Sequence, residues 1–256
     1  MRALSSLVCV AFLSLTAPAF AQTGPTRDPQ ATLILQKAVE AMGGVVPSDS
    51  TATGDVSIVE GSKKQDGTIE ILTRGTDQTA EEMTLPDGQR ETIYSDGDAK
   101  EVNGTQATVV PLELSVTDQC ADFPLPLLTS ILNNPDEAYQ YVGQETLGGQ
   151  AVLHVRVWDT FASNSNLQQL APFTTRDIWF DATSLIPVKI KYLRRPAGGQ
   201  APAFRISLYY VGYANWAGVL YPTQIKKTFD GTPWQTITIQ NVTFNTGLPA
   251  SDFSVE

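Results

Sequence analysis

The chain is short of the residues that usually carry chemistry. Its 256 residues include one histidine, His154, and two cysteines, Cys9 and Cys120, while 17 basic side chains face 27 acidic ones for a formal charge of −10. One imidazole and two distant thiols cannot supply the three or four Cys and His ligands of a zinc site, so no metal is expected. The shortage of Lys and Arg argues against nucleic acid and anionic membrane surfaces, which demand clustered positive charge. Neither a phosphate-cradling glycine loop nor a G-x-S-x-G elbow occurs, so nucleotide and serine-hydrolase chemistry have no motif to rest on. No cofactor is called for. Long apolar runs are scarce too, and past the first 21 residues nothing approaches the roughly 20 needed for a transmembrane helix.

What is present begins with a leader. Met1–Ala21 carries Arg2, an apolar run from Leu7 to Leu15, Pro18 and the small-residue site Ala19-Phe20-Ala21, the pattern of a secretory signal peptide. Residues 22–256 then form the expected mature chain, a single domain, exported and soluble, with a charge of −11 once Arg2 is removed from the −10 total. Cys9 lies behind Leu7-Val8, without the small residue that a lipid-attachment site needs. Cys120, flanked by Asp118 and Asp122, sits where a thiolate is disfavoured and reads as a small residue under a loop. With 42% hydrophobic residues the chain can bury a large core without a disulfide.

Gln22–Pro29 reads as a short flexible lead-in. Asp28-Pro29 then caps a helix running to about Met42, with Leu33, Ala38 and Ala41 near one stripe, stopped by Gly43-Gly44. From Ser50 the period changes to two: Val56/Ile58, Ile69/Ile71, Leu153/Val155/Val157, Ile178/Phe180, Ile186/Val188/Ile190/Tyr192 and Ile237/Ile239 alternate with polar residues such as His154, Arg156, Lys189 and Lys191. That alternation marks antiparallel sheet with one dry face. Turn signals at Asp66-Gly67, Pro86-Asp87-Gly88, Asp96-Gly97, Asn103-Gly104, Gly148-Gly149, Gly198-Gly199 and Asp230-Gly231 divide it into ten or eleven strands. Pro124–Asn133 reads as a short apolar helix, and Asp159–Thr175 as a long polar excursion of the kind used for lids. The expected fold is mainly β, a long curved antiparallel sheet with one or two helices on its concave face. Two short helices cover only part of such a face, so either the sheet's own side chains fill the hollow or an apolar cavity remains.

Catalytic alternatives are thin. His154 lies on the polar face of its strand, away from any nucleophile motif. A glycan hydrolase needs only two facing carboxylates, but the conspicuous pair Glu81-Glu82 points to opposite faces of a strand and reads as a solvated edge. Asp96-Gly97-Asp98 lacks the further acids of a calcium loop. The aromatic residues crowd the C-terminal half, among them Trp158, Trp179, Phe180, Tyr192, Tyr209, Tyr210, Tyr213, Trp216, Tyr221 and Trp234, suiting either core pairing or a greasy pocket.

The order of several weak motifs resembles the LolA/LolB-type bacterial lipoprotein-sorting superfamily: Ala41-Met42-Gly43-Gly44, Tyr94-Ser95-Asp96-Gly97, Pro126-Leu127-Leu128 through Leu132, Ile178-Trp179-Phe180-Asp181 with Ile186-Pro187-Val188-Lys189, and Leu248-Pro249-Ala250-Ser251-Asp252-Phe253. The resemblance implies an incomplete, strongly curved barrel of about eleven strands whose mouth is plugged by helices. It also implies a non-enzymatic, monomeric periplasmic carrier of lipoprotein acyl chains or other lipids, with a membrane donor and an acceptor protein as partners. Leu125, Leu127, Leu128, Leu132, Ile178, Phe180, Val188, Ile190, Ile237 and Ile239 would line the lipid site. The family's lid-holding arginine maps to Arg74, where Gly75 replaces the usual following proline. The competing expectations are a β module for structure or protein interaction, filled by its own side chains, and the carboxylate-dependent hydrolase.

Overall fold

The computed structural model describes residues 25–110, 112, 115, 121–194 and 203–255. The leader, Cys120 and the Gly198-Gly199 turn lie outside the described residues. Two antiparallel meanders make up most of the chain. The first comprises β1 (Asp49–Glu60), β2 (Lys63–Arg74), β3 (Gln78–Leu85), β4 (Gly88–Ser95), β5 (Asp98–Asn103) and β6 (Gln106–Val110). The second comprises β7 (Glu137–Leu147), β8 (Gln150–Asp159), β9 (Arg176–Asp181), β10 (Pro187–Arg194), β11 (Phe204–Tyr210) and, after the small hairpin of β12 (Tyr213–Trp216) and β13 (Val219–Pro222), β14 (Gln224–Phe229). The long last strand, β15 (Thr232–Phe244), pairs with both β14 and β1 and joins the meanders into one 13-stranded sheet in the order β6-β5-β4-β3-β2-β1-β15-β14-β11-β10-β9-β8-β7. The sheet is curved and does not close.

The strand count exceeds the ten or eleven expected because β4 to β6 bury little and carry almost no apolar alternation. Their turn dipeptides were the better signal. Asp96-Gly97, Gly148-Gly149 and Asp230-Gly231 each place both residues at positive φ, the hairpin geometry whose twist matches that of the strands. Asp66-Gly67 is a correction: it lies inside β2, opposite Ser57 and Val56, and the chain turns instead at Gly61-Ser62. Gly67 is needed for close approach, since a Cβ there would lie 2.1 Å from the Thr84 carbonyl oxygen; one on Gly54 would lie 2.0 Å from that of Thr238, at the β1 bulge.

Two helices cover the inner face. α1 (Pro29–Ala41) starts where Asp28 Oδ1 accepts from the Gln30 and Ala31 amides at 2.7 and 3.2 Å. It buries Ala31, Ile34, Leu35 and Ala38, while Leu33 is 56% exposed, so its dry stripe is rotated from the one expected. The residues before it are not a loose lead-in from Thr26 onward: Thr26 O accepts from the Tyr139 amide and the Asp28 amide donates to Tyr139 O, both at 3.0 Å. α2 (Pro124–Asn133) has the expected bounds and buries Pro124, Leu125, Pro126, Leu127, Leu128 and Ile131. On the opposite face of the sheet, Phe253 in the C-terminal turn packs on Leu72, Ala80 and Ile93. No helix among the described residues is long and apolar enough to cross a membrane.

These contacts make the close-approach glycines a test of the fold. Gly54→Ala is expected to lower stability by about 2–4 kcal/mol in urea unfolding, because the bulge must open to admit a methyl group. Gly61→Asn, at a left-handed turn position facing open space, is expected to cost less than about 1 kcal/mol.

Candidate functional site: the inner face and its helical cover

Strand register defines the inner surface. One row crosses nine strands as Tyr141, Val155, Ile178, Ile190, Leu208, Lys227, Gln235, Ile58 and Gln65. From β7 to β11 the row is apolar or aromatic; from β14 onward polar residues interrupt it. Leu125, Leu127, Leu128 and Ile131 of α2 join Ile178, Phe180, Ile190, Ile237 and Ile239 in one buried cluster. Leu132 packs on its rim. Val188 stands apart: the β10 irregularity between Pro187 and Lys189 leaves it half-buried in a shallow hollow beside Tyr210 and Tyr213. Eight of the ten sequence-predicted wall residues thus lie in the cluster.

Of the two expectations for the interior, filled or hollow, the described residues show helices packed into the inner-face cluster. Among the described residues, two hollows of mixed character border this face. The larger, about 600 Å³, lies between α2 and the turns at its mouth, where Leu127, Ile131, Phe161 and Leu167 alternate with Asp77, Asp96, Asp98, Glu137 and Asp159. The smaller, about 340 Å³, lies on the polar part of the inner face, between β3–β5 and β10, β11 and β15. The excursion after β8 walls the larger one. It is folded as a 3-10 turn, Gln168–Phe173, with Leu170 buried, and is held by Asp136, whose carboxylate accepts from the Ser163 amide at 3.0 Å.

Each end of α2 is fastened by polar contacts. At its C-terminal end Arg27 donates to the carbonyls of Asn134 and, at 3.2 Å, Glu137, while its guanidinium lies 5.5 Å from the centre of the Tyr139 ring. Just before its N-terminal end, the Tyr210 hydroxyl donates to Ala121 O, and Lys227 Nζ lies 2.9 Å from Asp122 Oδ2. Lys227 also meets Glu81 Oε1 at 2.9 Å. Glu81 is therefore not a solvated edge: it turns inward while Glu82 is exposed. Burial pushes the Asp122 carboxyl well above the usual range, helped by the charge of Glu81. Burial also works against an ionised Glu81, but the ammonium of Lys227 outweighs it and holds that carboxyl low. Arg74, the expected latch, donates to Gln78 Oε1 at 3.0 Å within the β2–β3 hairpin.

Sequence reasoning missed Lys227, Asp122 and Arg27. A signal existed for the first: Lys227 is in phase with buried Ile225, where alternation calls for an apolar side chain. The polar residues His154, Arg156 and Lys191 gather on the outer face around Asp177. His154 bridges Glu145 and Asp177 at 2.7 and 2.8 Å and stacks on Trp179; Arg156 and Lys191 also bind Asp177. Burial raises the Asp177 carboxyl, but the hydrogen bonds from His154, Arg156 and Lys191 outweigh it and hold the group far below the usual carboxylate range.

Two outcomes follow. Lys227→Met is expected to cost about 3–5 kcal/mol, because the Glu81 carboxylate stays buried without its cation; adding Glu81→Gln is expected to restore part of that loss in urea unfolding. Asp177→Asn is expected to destabilise most at neutral pH. A depressed carboxylate stabilises above its unfolded value of about 4 and loses that contribution as pH falls toward its folded value, so the gap between variant and parent closes in acid. Denaturation at pH 7 and pH 3 measures it.

No family model matches the sequence, and no curated protein matches it significantly. Solved structures do match. A domain named for outer-membrane lipoprotein sorting, from Vibrio parahaemolyticus, aligns with a TM-score of 0.59 and 14% identity over 87% of this chain and 97% of that one. A DUF1329-family protein from Desulfovibrio piger gives 0.58 and 13% over 88% and 97%. A LolA superfamily protein from Nitrosomonas europaea gives 0.56 and 11% over 88% and 97%. The chain therefore shares its fold with these three solved structures.

Proposed function

We propose that the protein is an exported, non-catalytic binder or carrier of lipid acyl chains, with α2 as the movable cover of its site. One observation carries the reading: α2, PLPLLTSILN, has no charged residue and buries its apolar side chains in the cluster that lines the inner face. Burying Leu125, Leu127, Leu128 and Ile131 contributes about 6–12 kcal/mol. A sixteen-carbon chain gains on the order of 12 kcal/mol when it leaves water, before ordering costs. The two quantities are of similar size, so an acyl chain can exchange with the helix on the same wall, in either direction, with little net cost. The signal-peptide pattern and the similarity to a domain named for lipoprotein sorting support export and a lipid cargo. In this reading the protein works as a monomer between a membrane donor and an acceptor protein.

The filled inner face favours a second reading, a β module for protein interaction that holds no ligand. Native mass spectrometry of protein secreted by its host separates them: bound lipid is expected, and a bare polypeptide that also refuses added fatty acids would favour the interaction module. Leu128→Asp is expected to reduce fatty-acid retention more than tenfold with an intact β spectrum, and unchanged retention would detach α2 from the site. Hydrogen exchange over 124–134 tests the latch. Arg27→Ala is expected to speed it, and a larger effect from Arg74→Ala would return that role to Arg74.

A further inference from the structure

A sheet that does not close has two free edges, and the chain treats them differently. β7 is guarded: Thr26 O and the Asp28 amide bond the Tyr139 backbone, each at 3.0 Å, a bulge follows between Tyr141 and Gly143, and Glu145 stands beyond it. Natural sheets blunt the edges they do not use by such means. β6 carries no charge, proline or bulge, and Gln106 to Val109 are all exposed, Val109 at 70%. After Val110 the chain heads toward α2, where Leu112 lines the large hollow and Ser115 Oγ donates to Gly97 O at 2.5 Å. The two-residue turn Gly104-Thr105 makes Asn103 and Gln106 a hydrogen-bonded pair, and such pairs alternate from there along the strand. Ala107 and Val109 therefore turn their amides and carbonyls away from β5, toward the free side.

Charge selects the occupant. On the outer face, beside the contact with Phe253, Glu70, Glu82 and Glu91 stand directly opposite one another on β2, β3 and β4. Like charges so placed repel; burial, helped by Glu91, Glu70 and Asp252, pushes the Glu82 carboxyl up. Among the described residues no ammonium or guanidinium pairs with any of the three. The row runs on through Val102 and Ala107 to the free edge. A strand added beyond β6 lies three spacings, about 14 Å, from β4, and a long cationic side chain on it can lie over Ala107 and Val102 and reach toward Glu91. A second copy would instead bring another acidic row and a further formal charge of −10. We propose that the free side of β6 is a docking edge for an extended segment of a partner protein with lysine or arginine at alternate positions, which joins the 13-stranded sheet as a further strand. This edge lies apart from the inner face, so its test does not turn on lipid binding.

Calorimetry and amide hydrogen exchange on the full protein at neutral pH test it with two synthetic peptides long enough to span β6, one alternating threonine with lysine and one alternating threonine with glutamate. The lysine peptide is expected to bind about tenfold or more tightly than the glutamate peptide, and to slow exchange at Ala107 and Val109, which is fast in the free protein. Val109→Pro and Ala107→Pro each leave the bonds to β5 in place, because the lost amide points to the free side. Either is expected to weaken the lysine peptide about tenfold with an unchanged β spectrum, and Glu82→Gln with Glu91→Gln to reduce the preference for lysine. Equal binding of the two peptides, binding indifferent to both proline variants, or no binding of either overturns the docking edge. So does slow exchange of both amides in the free protein, which would mean that the edge is already covered. A dimer in sedimentation that Val109→Pro dissolves makes a second copy the occupant and overturns the basic partner.

Discussion

An open, curved sheet has an inner face that no second sheet of like size covers, only the small β12–β13 hairpin, and that constraint governs the rest of the molecule. The apolar row from Tyr141 to Leu208 must be dry, and the chain dries it with two helices drawn from loops outside the strand ladder. Such a cover differs from an ordinary core. A strand is tied to its neighbours by a backbone ladder, whereas the backbone hydrogen bonds of α2 lie within the helix itself. The hydrophobic effect fixes that something apolar lies on the wall; being non-directional, it does not fix what.

The specificity of the closed arrangement therefore falls to a few polar contacts at the ends of α2. Arg27 meets carbonyls at the C-terminal end, where the helix dipole favours a cation. Asp122 and Ala121 are held just before the N-terminal end by Lys227 and Tyr210. These contacts orient the helix without much intrinsic stability, because a buried ion pair spends most of its attraction on desolvation. The cover is thus held by dispersion along its length and by directional bonds at its ends.

Much of this architecture was legible in the sequence, for reasons local to the chain. Alternation marked the strands that bury one face, hairpin dipeptides marked their ends, and proline with a run of leucines marked α2. Legibility failed where partners are distant. Lys227 finds Glu81 146 residues away and Asp122 105 away, and nothing near Glu81-Glu82 signals an inward turn. Asp66-Gly67 has the composition of a turn yet lies within a strand, because Gly67 answers to the neighbouring strand's carbonyl at Thr84. Leu33 shows the limit of periodicity: several apolar residues at helical spacing leave the phase of the stripe open, and contact with the sheet fixes it on Ala31, Ile34, Leu35 and Ala38.

The polar break in the inner row bears on how a cover and a cargo could share one wall. A uniformly apolar hollow would hold a chain in any register and collapse on itself when empty. Here Lys227, Glu81 and Asp122 join three separate parts of the fold, β14, β3 and the approach to α2, at the border between oily and polar surface. Because Asp122 belongs to the segment that leads into α2, any change in what Lys227 contacts alters the hold on that end of the helix. The charge cluster and the approach to α2 are thus fastened together through a single ammonium group.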